Sequence, residues 1–461
     1  MGKKTRFYAD VQSLQDSVTG SNSLVTVSYP DGTKETFLVD FGMYQGLAEQ
    51  EEKNRTIGFK PEKLEAIILT HAHVDHCGRI PMLYKYGATC RTFMTNDTLK
   101  VSEKLLRNTE SIIASSQDPI YGNADLERAL KEFRACDYED FINITENIKV
   151  MFIQNQHIQG ASAVYVVISY PGEEDITILF TGDYNLVNDF SSKRTTISSD
   201  ILKKRLSMMV LESTYGSRKK ENVEKGLFKR EIEELVANEK TVIIPAFAFG
   251  RYQVVLWNLR QLEEEGALGD TPVFMDGGLG IELTYLWQYL ETVEIKDFIP
   301  KRATVVEDRR QVMASKTPKI IVTTSGMGNF GPARWYIPQF ISEKSAAIYL
   351  TGYTSPDSVS RRVLEAQEGE FVMTSGIVRK KYATVKWTGE FSSHAGMDGL
   401  IHFVKPFCRI GLLLLNHGEN ESKDSLSRSC FQLSNVKDVG IVDGNTNFRI
   451  CSYGLVKTYR I

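Results

Sequence analysis

The sequence has few of the features that mark secreted or membrane-bound proteins. Its six cysteines are scattered along 461 residues and form no CxxC pair, which argues against a zinc ribbon and against a disulfide framework. Unpaired thiols of this kind are typical of cytoplasmic proteins. The N-terminus leads into polar sequence, and the longest aliphatic run, Leu412 to Leu415, is far too short to cross a bilayer. We therefore expect a cytoplasmic protein with no membrane contact.

The sequence also lacks a strong charge of either sign. The formal net charge is −3, so the overall charge gives no indication of a nucleic-acid partner. Basic clusters such as Lys203-Lys204-Arg205 and Arg379-Lys380-Lys381 are expected to be mostly solvated, although a phosphate-binding groove needs only a few well-placed cations. Hydrophobic residues make up 42% of the chain, which is enough to bury a large core, and the length favours two or three domains.

The pattern of apolar residues changes along the chain. Short β-rich runs separated by helical stretches fill roughly the first 210 residues and predict an α/β sandwich with helices outside. From about residue 217, strand–loop–helix units predict a parallel, doubly wound sheet whose ligands gather at the carboxyl ends of the strands. These units begin at Thr241, Pro272, Lys319 and Ala346. Because β-rich sequence returns after about residue 388, one domain is predicted to be inserted within another.

The sharpest local signal is the segment His71-Ala72-His73-Val74-Asp75-His76, which follows a buried-looking strand. Four ligand-type residues in six positions indicate a divalent metal site built from imidazole and carboxylate groups. Other candidates follow strand ends beside Gly, Ser or Asn, where active-site loops lie. These are His157, Asp183, His394 and His417. The remaining histidine, His402, lies in an apolar stretch and is predicted to be a packed core residue.

This ordered set, together with Glu212, resembles the β-CASP branch of the metallo-β-lactamase superfamily. Within that branch, the chain is most similar to RNA-cleaving members related to the cleavage and polyadenylation specificity factor endonuclease, including short bacterial relatives. The resemblance implies an α/β fold, namely an αββα metallo-β-lactamase sandwich with an inserted parallel-sheet β-CASP domain. It places the sandwich in residues 1–216 and 389–461 and the inserted domain in residues 217–388. Ile244–Arg251 and Ser325–Met327 look like landmarks of the inserted domain.

The resemblance also implies a ligand set for two Zn²⁺ ions per chain. One ion would be held by His71, His73, His157 and Asp183, and the other by Asp75, His76, His417 and the bridging Asp183. Glu212 would orient His394, the candidate general acid, and Asp40 would fix an imidazole ligand. His394 and Glu212, together with Asp75, form the expected catalytic group.

The implied activity is that of a zinc-dependent ribonuclease. It would hydrolyse phosphodiester bonds in single-stranded RNA with a hydroxide bridging the metals, in endonucleolytic mode. The histidine at position 417 favours RNA, because DNA-processing relatives generally lack it. A DNA nuclease of the same superfamily and a non-nuclease hydrolase of the same fold remain alternatives, because a fold does not settle a substrate.

Contacts with substrate are harder to predict than metal ligands. Ser325, Arg251 and Arg361 or Arg362 are candidate phosphate contacts on the loops of the inserted domain. One departure concerns this side of the site: where the family usually has an acidic residue, this chain has Gly396. Four questions stay open, namely endonucleolytic or 5′-exonucleolytic mode, the preferred RNA, zinc or manganese, and a homodimer or another assembly.

Overall fold

The computed structural model describes residues 7–15, 18–46, 48–218 and 224–460. In chain order, the strands of these residues are β1 (Tyr8–Gln12), β2 (Asn22–Ser28), β3 (Lys34–Phe41), β4 (Ala66–Ile68), β5 (Arg91–Thr95), β6 (Phe133–Cys136), β7 (Phe141–Asn143), β8 (Ile148–Gln154), β9 (Ser162–Ile168), β10 (Ile176–Phe180), β11 (Val187–Asn188), β12 (Ser191–Arg194), β13 (Arg205–Glu212), β14 (Thr241–Pro245), β15 (Val273–Asp276), β16 (Ala303–Val305), β17 (Ile320–Thr323), β18 (Ala346–Leu350), β19 (Phe371–Thr374), β20 (Ile377–Lys380), β21 (Thr384–Trp387), β22 (Arg409–Asn416), β23 (Val436–Ile441), β24 (Thr446–Cys451) and β25 (Gly454–Arg460).

The α-helices of the same residues are α1 (Ala48–Glu52), α2 (Val74–Cys77), α3 (Ile80–Lys85), α4 (Asn96–Ile113), α5 (Asn123–Lys131), α6 (Ser199–Leu202), α7 (Leu227–Ala237), α8 (Arg251–Glu264), α9 (Gly278–Trp287), α10 (Arg309–Ala314), α11 (Ala333–Phe340), α12 (Val359–Glu365), α13 (Met397–Val404) and α14 (Asn420–Cys430). Two 3₁₀ helices span Lys53–Arg55 and Pro61–Lys63. Among the described residues, no helix combines the length and the apolar composition that a bilayer crossing requires.

The chain forms two compact units. The first unit contains residues 1–220 and the returning segment 393–461, and the second unit contains residues 221–392. The second unit is therefore an insertion into the first, as the return of β-rich sequence near the C-terminus predicts.

Two sheets face each other in the first unit. The eight-stranded sheet has the order β25-β24-β1-β2-β3-β4-β5-β6, and the seven-stranded sheet has the order β23-β22-β13-β10-β9-β8-β7. Val39 and Ile68 of one sheet share a buried cluster with Phe180, Val210 and Leu414 of the other. Because successive side chains of a strand point to opposite faces, every second residue of these strands contributes to this inner core.

Helices cover the outer faces of both sheets. Leu38 of the eight-stranded sheet belongs to a buried cluster with Leu83 of α3, and Leu413 of the seven-stranded sheet belongs to one with Leu400 of α13. The layers are therefore αββα, which confirms the predicted fold class. Central strands such as β22 are buried on both faces, which explains their continuous rather than alternating apolar sequence.

The second unit contains a six-stranded sheet in the order β16-β15-β17-β14-β18-β21, with every neighbouring pair parallel. The four predicted strands are β14, β15, β17 and β18. Pro245 pairs with Thr323, and Leu350 pairs with Trp387, so these strands end at one level. Their carboxyl ends form a common edge from which the following loops emerge.

The prediction that His402 is a core residue is wrong. In α13, Leu400, Phe403 and Val404 are buried, whereas His402 is exposed. A helix turns by about 100° per residue, so a polar residue between apolar neighbours can face solvent. His402 therefore serves as a reference histidine outside the site.

Candidate metal centre

The predicted metal ligands lie where elements of the first unit end or begin. Four of them follow strands, because His71 follows β4, His157 follows β8, Asp183 follows β10 and His417 follows β22. The other three belong to a short helix: His73 is the N-cap residue of α2, which contains Asp75 and His76. Strands of both sheets thus deliver their loops to one place, although these residues are more than 300 positions apart in sequence at the extremes.

One group of ligand atoms comes from His71, His73, His157 and Asp183, and these atoms lie within 4.8 Å of one another. Nδ1 of His73 is 3.2 Å from Nε2 of His71 and 3.2 Å from Nε2 of His157. Oδ2 of Asp183 is 3.6 Å from each of those two Nε2 atoms. Three imidazoles and one carboxylate oxygen therefore enclose a common point.

A second group combines Asp75, His76 and His417 within the same 4.8 Å limit. Nε2 of His76 is 3.2 Å from Nε2 of His417, and Oδ2 of Asp75 is 3.6 Å from the latter atom. Oδ1 of Asp183 lies 3.3 Å from Nε2 of His76 and 3.3 Å from Nδ1 of His417. The two oxygens of Asp183 thus face different groups, so this carboxylate lies between them as a bridge.

These residues fit divalent metal ions. Ligand atoms of a tetrahedral zinc site are about 3.3 Å apart when the Zn–N bonds are about 2.0–2.1 Å long, close to the spacing of the imidazole nitrogens. Oδ1 of Asp183 is buried and has no hydrogen-bond donor among the described residues. A buried, unpaired carboxylate oxygen is costly unless a cation or a donor satisfies it.

The remaining ring nitrogens are engaged by neighbours that orient the imidazoles. Nδ1 of His157 donates to the carbonyl oxygen of Ser393 over 2.9 Å. Nδ1 of His76 lies 2.7 Å from Oδ2 of Asp40, and the other carboxylate oxygen of Asp40 accepts from the backbone N–H of Thr70 over 2.8 Å. Partners of this kind fix the tautomer and leave the opposite nitrogen for a metal.

Burial keeps three of the imidazoles neutral at neutral pH. It lowers the pKa of His71 and of His157 well below the ordinary value, and it lowers the pKa of His73 to about 4. A neutral imidazole is the form that binds a metal ion. Burial also acts on His76, but the charges of Asp183 and Asp40 outweigh it and raise the pKa of that ring. These two carboxylates therefore favour a positive charge near His76. A metal ion bound to Nε2 of His76 would supply that charge in place of a proton.

His394 lies beside the ligand groups and is held by Glu212. Its Nδ1 is 2.9 Å and 3.0 Å from the two carboxylate oxygens of Glu212. Glu212 is itself fixed at the end of β13, because its Oε1 accepts from the backbone N–H of Tyr184 over 2.6 Å and its Oε2 accepts from that of Thr214 over 3.3 Å. Nε2 of His394 is 3.9 Å from Oδ2 of Asp183, so the open end of the ring faces the bridging carboxylate.

The surroundings of His394 favour its protonated form. Burial alone would lower the pKa of His394, but the negative charges of Glu212 and Asp183 raise it to about 9. An imidazole with a raised pKa carries a proton at neutral pH and can donate it. The ligand atoms of Asp183, Glu212 and His417 also lie close together. We do not regard them as a third metal site, because His394 and two backbone donors already occupy Glu212.

The predicted phosphate contacts belong to the second unit and lie on the segments that follow β14, β17 and β18. Oγ of Ser325 donates to the carbonyl of Phe330 over 3.4 Å. The guanidinium of Arg251 donates to the carbonyl of Thr351. Arg361 pairs with Glu365 on α12 over 2.6 Å, and Arg362 donates to the backbone carbonyls of Asp357 and Met373. Both of the latter cations are thus partly engaged within the unit.

Two residues near the metal ligands were not predicted. Oγ1 of Thr214 lies 3.1 Å from Nδ1 of His417, and Oγ1 of Thr70 lies 3.1 Å from Nδ1 of His71. Thr214 follows Glu212 at a distance of two residues, and Thr70 directly precedes His71. Their positions next to predicted residues were the only signal in the sequence, because threonine is common in such loops.

Comparisons with known proteins agree with this architecture. Residues 18–195 match the metallo-beta-lactamase superfamily model, residues 252–363 match the Beta-Casp domain, and residues 378–439 match the Zn-dependent metallo-hydrolase RNA specificity domain. The chain belongs to the β-CASP branch of the metallo-β-lactamase superfamily. The resemblance drawn from the motifs is confirmed, and so is the inserted β-CASP domain.

Relatives of this β-CASP chain match most of its length. An RNase J-like protein of Methanocaldococcus jannaschii is 29% identical over 77% of this chain and 82% of its own. A transcription termination factor of Methanococcus maripaludis is 26% identical over 93% of this chain and 71% of its own. A ribonuclease of Thermus thermophilus is 25% identical over 85% of this chain and 89% of its own.

Proposed function

We propose that this chain is a metal-dependent ribonuclease that hydrolyses phosphodiester bonds in single-stranded RNA, in endonucleolytic mode. The observation that carries the proposal is the bridging position of Asp183, whose two oxygens face two groups of ligand atoms. A protonatable histidine, His394, lies beside them. Such a pair of sites next to a proton donor suits an in-line displacement at phosphorus.

The two groups would hold two Zn²⁺ ions. His71, His73 and His157 would bind one ion, and Asp75, His76 and His417 would bind the other, with Asp183 shared between them. Bound there, the ions would supply Lewis-acid chemistry, lowering the pKa of water and neutralising charge on a phosphate oxygen. The mixed imidazole and carboxylate set suits zinc, and the imidazole nitrogens of the first group are 3.2 Å apart, close to the spacing of ligand atoms around a zinc ion.

The protein side of the reaction rests on His394. Its protonated Nε2 would donate a proton to the oxygen that leaves when the phosphodiester bond breaks, since a ribose oxygen is a poor leaving group without protonation. Glu212 would hold the ring through Nδ1 and favour its positive charge. Asp40 would hold His76 in the tautomer whose Nε2 is free to bind metal.

RNA is the favoured substrate for two reasons. His417 belongs to the second ligand group, and the resemblance associates a histidine at this position with RNA-processing members. The relatives from Methanocaldococcus jannaschii and Thermus thermophilus bear the names of ribonucleases.

Domain roles and biological setting are part of the same proposal. We assign the sandwich to residues 1–216 and 389–461 and the β-CASP domain to residues 217–388, which the compact units, changing at residues 220 and 392, support. A cytoplasmic location and a homodimer rest on the sequence alone. Ser325, Arg251, Arg361 and Arg362 remain candidate phosphate contacts of the β-CASP domain.

The test uses single-stranded RNA labelled at the 5′ end in one sample and at the 3′ end in another. Cleavage should depend on metal, stop on chelation, and give internal fragments from both labels. Release of mononucleotides from the 5′ end only would make the chain an exonuclease. Efficient cutting of DNA without cutting of RNA would contradict the substrate, and activity independent of metal would contradict the mechanism.

A further inference from the structure

Four consecutive strands of the second unit lead into exposed aromatic side chains. In the sheet order β17-β14-β18-β21, Phe330 follows β17, Phe247 follows β14, Tyr353 follows β18, and Trp387 ends β21. Their exposed fractions are 59%, 36%, 47% and 42%. Neighbouring strands are about 4.8 Å apart, so the four loops cover about 14 Å of the edge where ligands of parallel sheets bind.

Two of these rings are held in place by glycine loops. The indole N–H of Trp387 donates to the carbonyl of Gly352 over 2.8 Å, and a Cβ atom at Gly389 would lie 3.0 Å from the indole ring. Phe247 packs on Gly326 in the neighbouring loop, because a Cβ atom there would lie 3.2 Å from its ring. Glycines thus create the places in which these rings lie while part of each ring stays exposed.

The charge around this edge suits a polyanion. The loops that follow the four strands, 246–250, 324–332, 351–358 and 388–392, contain two carboxylates, Asp357 and Glu390. Glu390 accepts hydrogen bonds from the backbone N–H groups of Gly226 and Phe228, which offset its charge. Arg251 begins α8 with its guanidinium beside Gly352, and Arg334 in α11 is exposed, with its guanidinium 5.2 Å from the ring centre of Trp335. Cations near exposed aromatic rings are the combination that binds single-stranded nucleic acids without sequence preference.

We propose that Phe247, Phe330, Tyr353 and Trp387 form an aromatic platform on which successive bases of single-stranded RNA stack. The proposal rests on the proposed function for its choice of ligand. A base offers a flat apolar face to each ring, and Arg251 and Arg334 attract the phosphates between the bases. Because every base has such a face, the platform binds different RNA sequences with similar affinity.

The test measures the affinity of the full chain for fluorescent oligoadenosine and oligouridine of about 12 nucleotides, with metal chelated so that no cleavage occurs. The double variant Phe330→Leu/Tyr353→Leu keeps apolar side chains but loses the rings, and should weaken binding about tenfold or more. The matched control is Phe371→Leu/Phe431→Leu, which removes two rings that are 73% and 74% exposed elsewhere, and should bind like the parent.

A second measurement separates stacking from damage to the fold. The oligonucleotide is replaced by one of equal length and charge that lacks bases. The parent and Phe330→Leu/Tyr353→Leu should bind this backbone equally, because the strand has no bases that could stack on the rings. A variant that binds the abasic strand more weakly than the parent would show a structural defect instead, and the platform would be contradicted.

The remaining outcomes keep this proposal apart from the proposed function. A chain that cuts RNA, while the double variant binds RNA like the parent, overturns the platform and leaves the function. A chain that binds oligonucleotides through these rings but cuts no RNA overturns the function and leaves the platform. If no oligonucleotide binds and the double variant instead disrupts self-association, these rings form a protein interface and the platform is wrong.

Discussion

Asp183 ties the candidate site together at the scale of single residues. Its oxygens face two groups of imidazoles. Burial alone would raise its pKa, but electrostatic interactions with His417, His76 and His394 hold that pKa well below the ordinary value. Replacing a residue around Asp183 should have an effect that depends on whether the residue binds metal or donates a proton. A ligand variant should lose metal, whereas a proton-donor variant should lose only rate.

Asp75→Ala removes a carboxylate of one group and should lose metal and activity together. Metal analysis of protein purified without chelator measures the first, and RNA cleavage measures the second. His402→Ala is the matched control, since it removes an exposed histidine outside both groups and should change neither. Full metal occupancy in Asp75→Ala would remove this residue from the ligand set.

His394→Ala should keep its metal ions, because the ring contacts the ligands from outside both groups. Its cleavage rate should fall by roughly 10² to 10⁴, the usual contribution of a general acid. A substrate with a better leaving group than a ribose oxygen should recover part of the loss, because that group needs less protonation. Wild-type turnover in this variant, or loss of a metal ion, would show that His394 is not the proton donor.

Glu212→Gln should change how activity depends on pH. His394 donates only while protonated, so the parent should lose activity as the pH rises through the raised pKa of this ring. Replacing Glu212 removes the negative charge that contributes most to raising it, so the decline should begin at lower pH, nearer the ordinary value of about 6.5. Rate profiles of the two proteins at constant ionic strength give the comparison. An unchanged alkaline limb would mean that another group donates the proton.

At the scale of elements, the site depends on where strands end. Four ligands follow strands whose apolar runs stop at Gly, Ser, Thr or Asn, which is why the sequence allows their prediction. The division of Asp183 between two groups was predicted from the family resemblance and not from the residues themselves, because it depends on the rotation of one side chain among strands far apart in sequence. The prediction for His402 is wrong because a short apolar segment, Leu400–Phe403, does not show which of its residues face the core once it forms a helix.

Gly42 shows how closely two of these elements approach each other. A Cβ atom at Gly42 would lie 1.5 Å from the carbonyl oxygen of Asp75, so Gly42→Ala must displace α2. We expect it to cost about 3 kcal/mol or more of unfolding free energy and to weaken metal binding. Gly278→Ala is the control, because a Cβ atom there has open space and alanine favours a helix. Denaturant unfolding and metal analysis test both variants, and equal stabilities would contradict the close approach.

At the scale of the whole molecule, the ligands join segments from both ends of the chain, since Asp75 and His417 lie on either side of the inserted unit. An ion that binds only the folded protein stabilises it by about 4 kcal/mol at a free concentration roughly 1,000 times its Kd. For a unit of this size, such a gain should raise the melting temperature on the order of 10 °C. Calorimetry with zinc and with chelator measures the shift in melting temperature.

All seven predicted ligands belong to the first unit. If the two units unfold in separate steps, only the melting temperature of the first unit should therefore change. Asp183→Asn weakens both groups at once and should remove most of the response to zinc. If the melting temperature of the parent protein is the same with zinc and with chelator, the protein does not hold metal in this site. That result would overturn the mechanism even if the chain bound RNA.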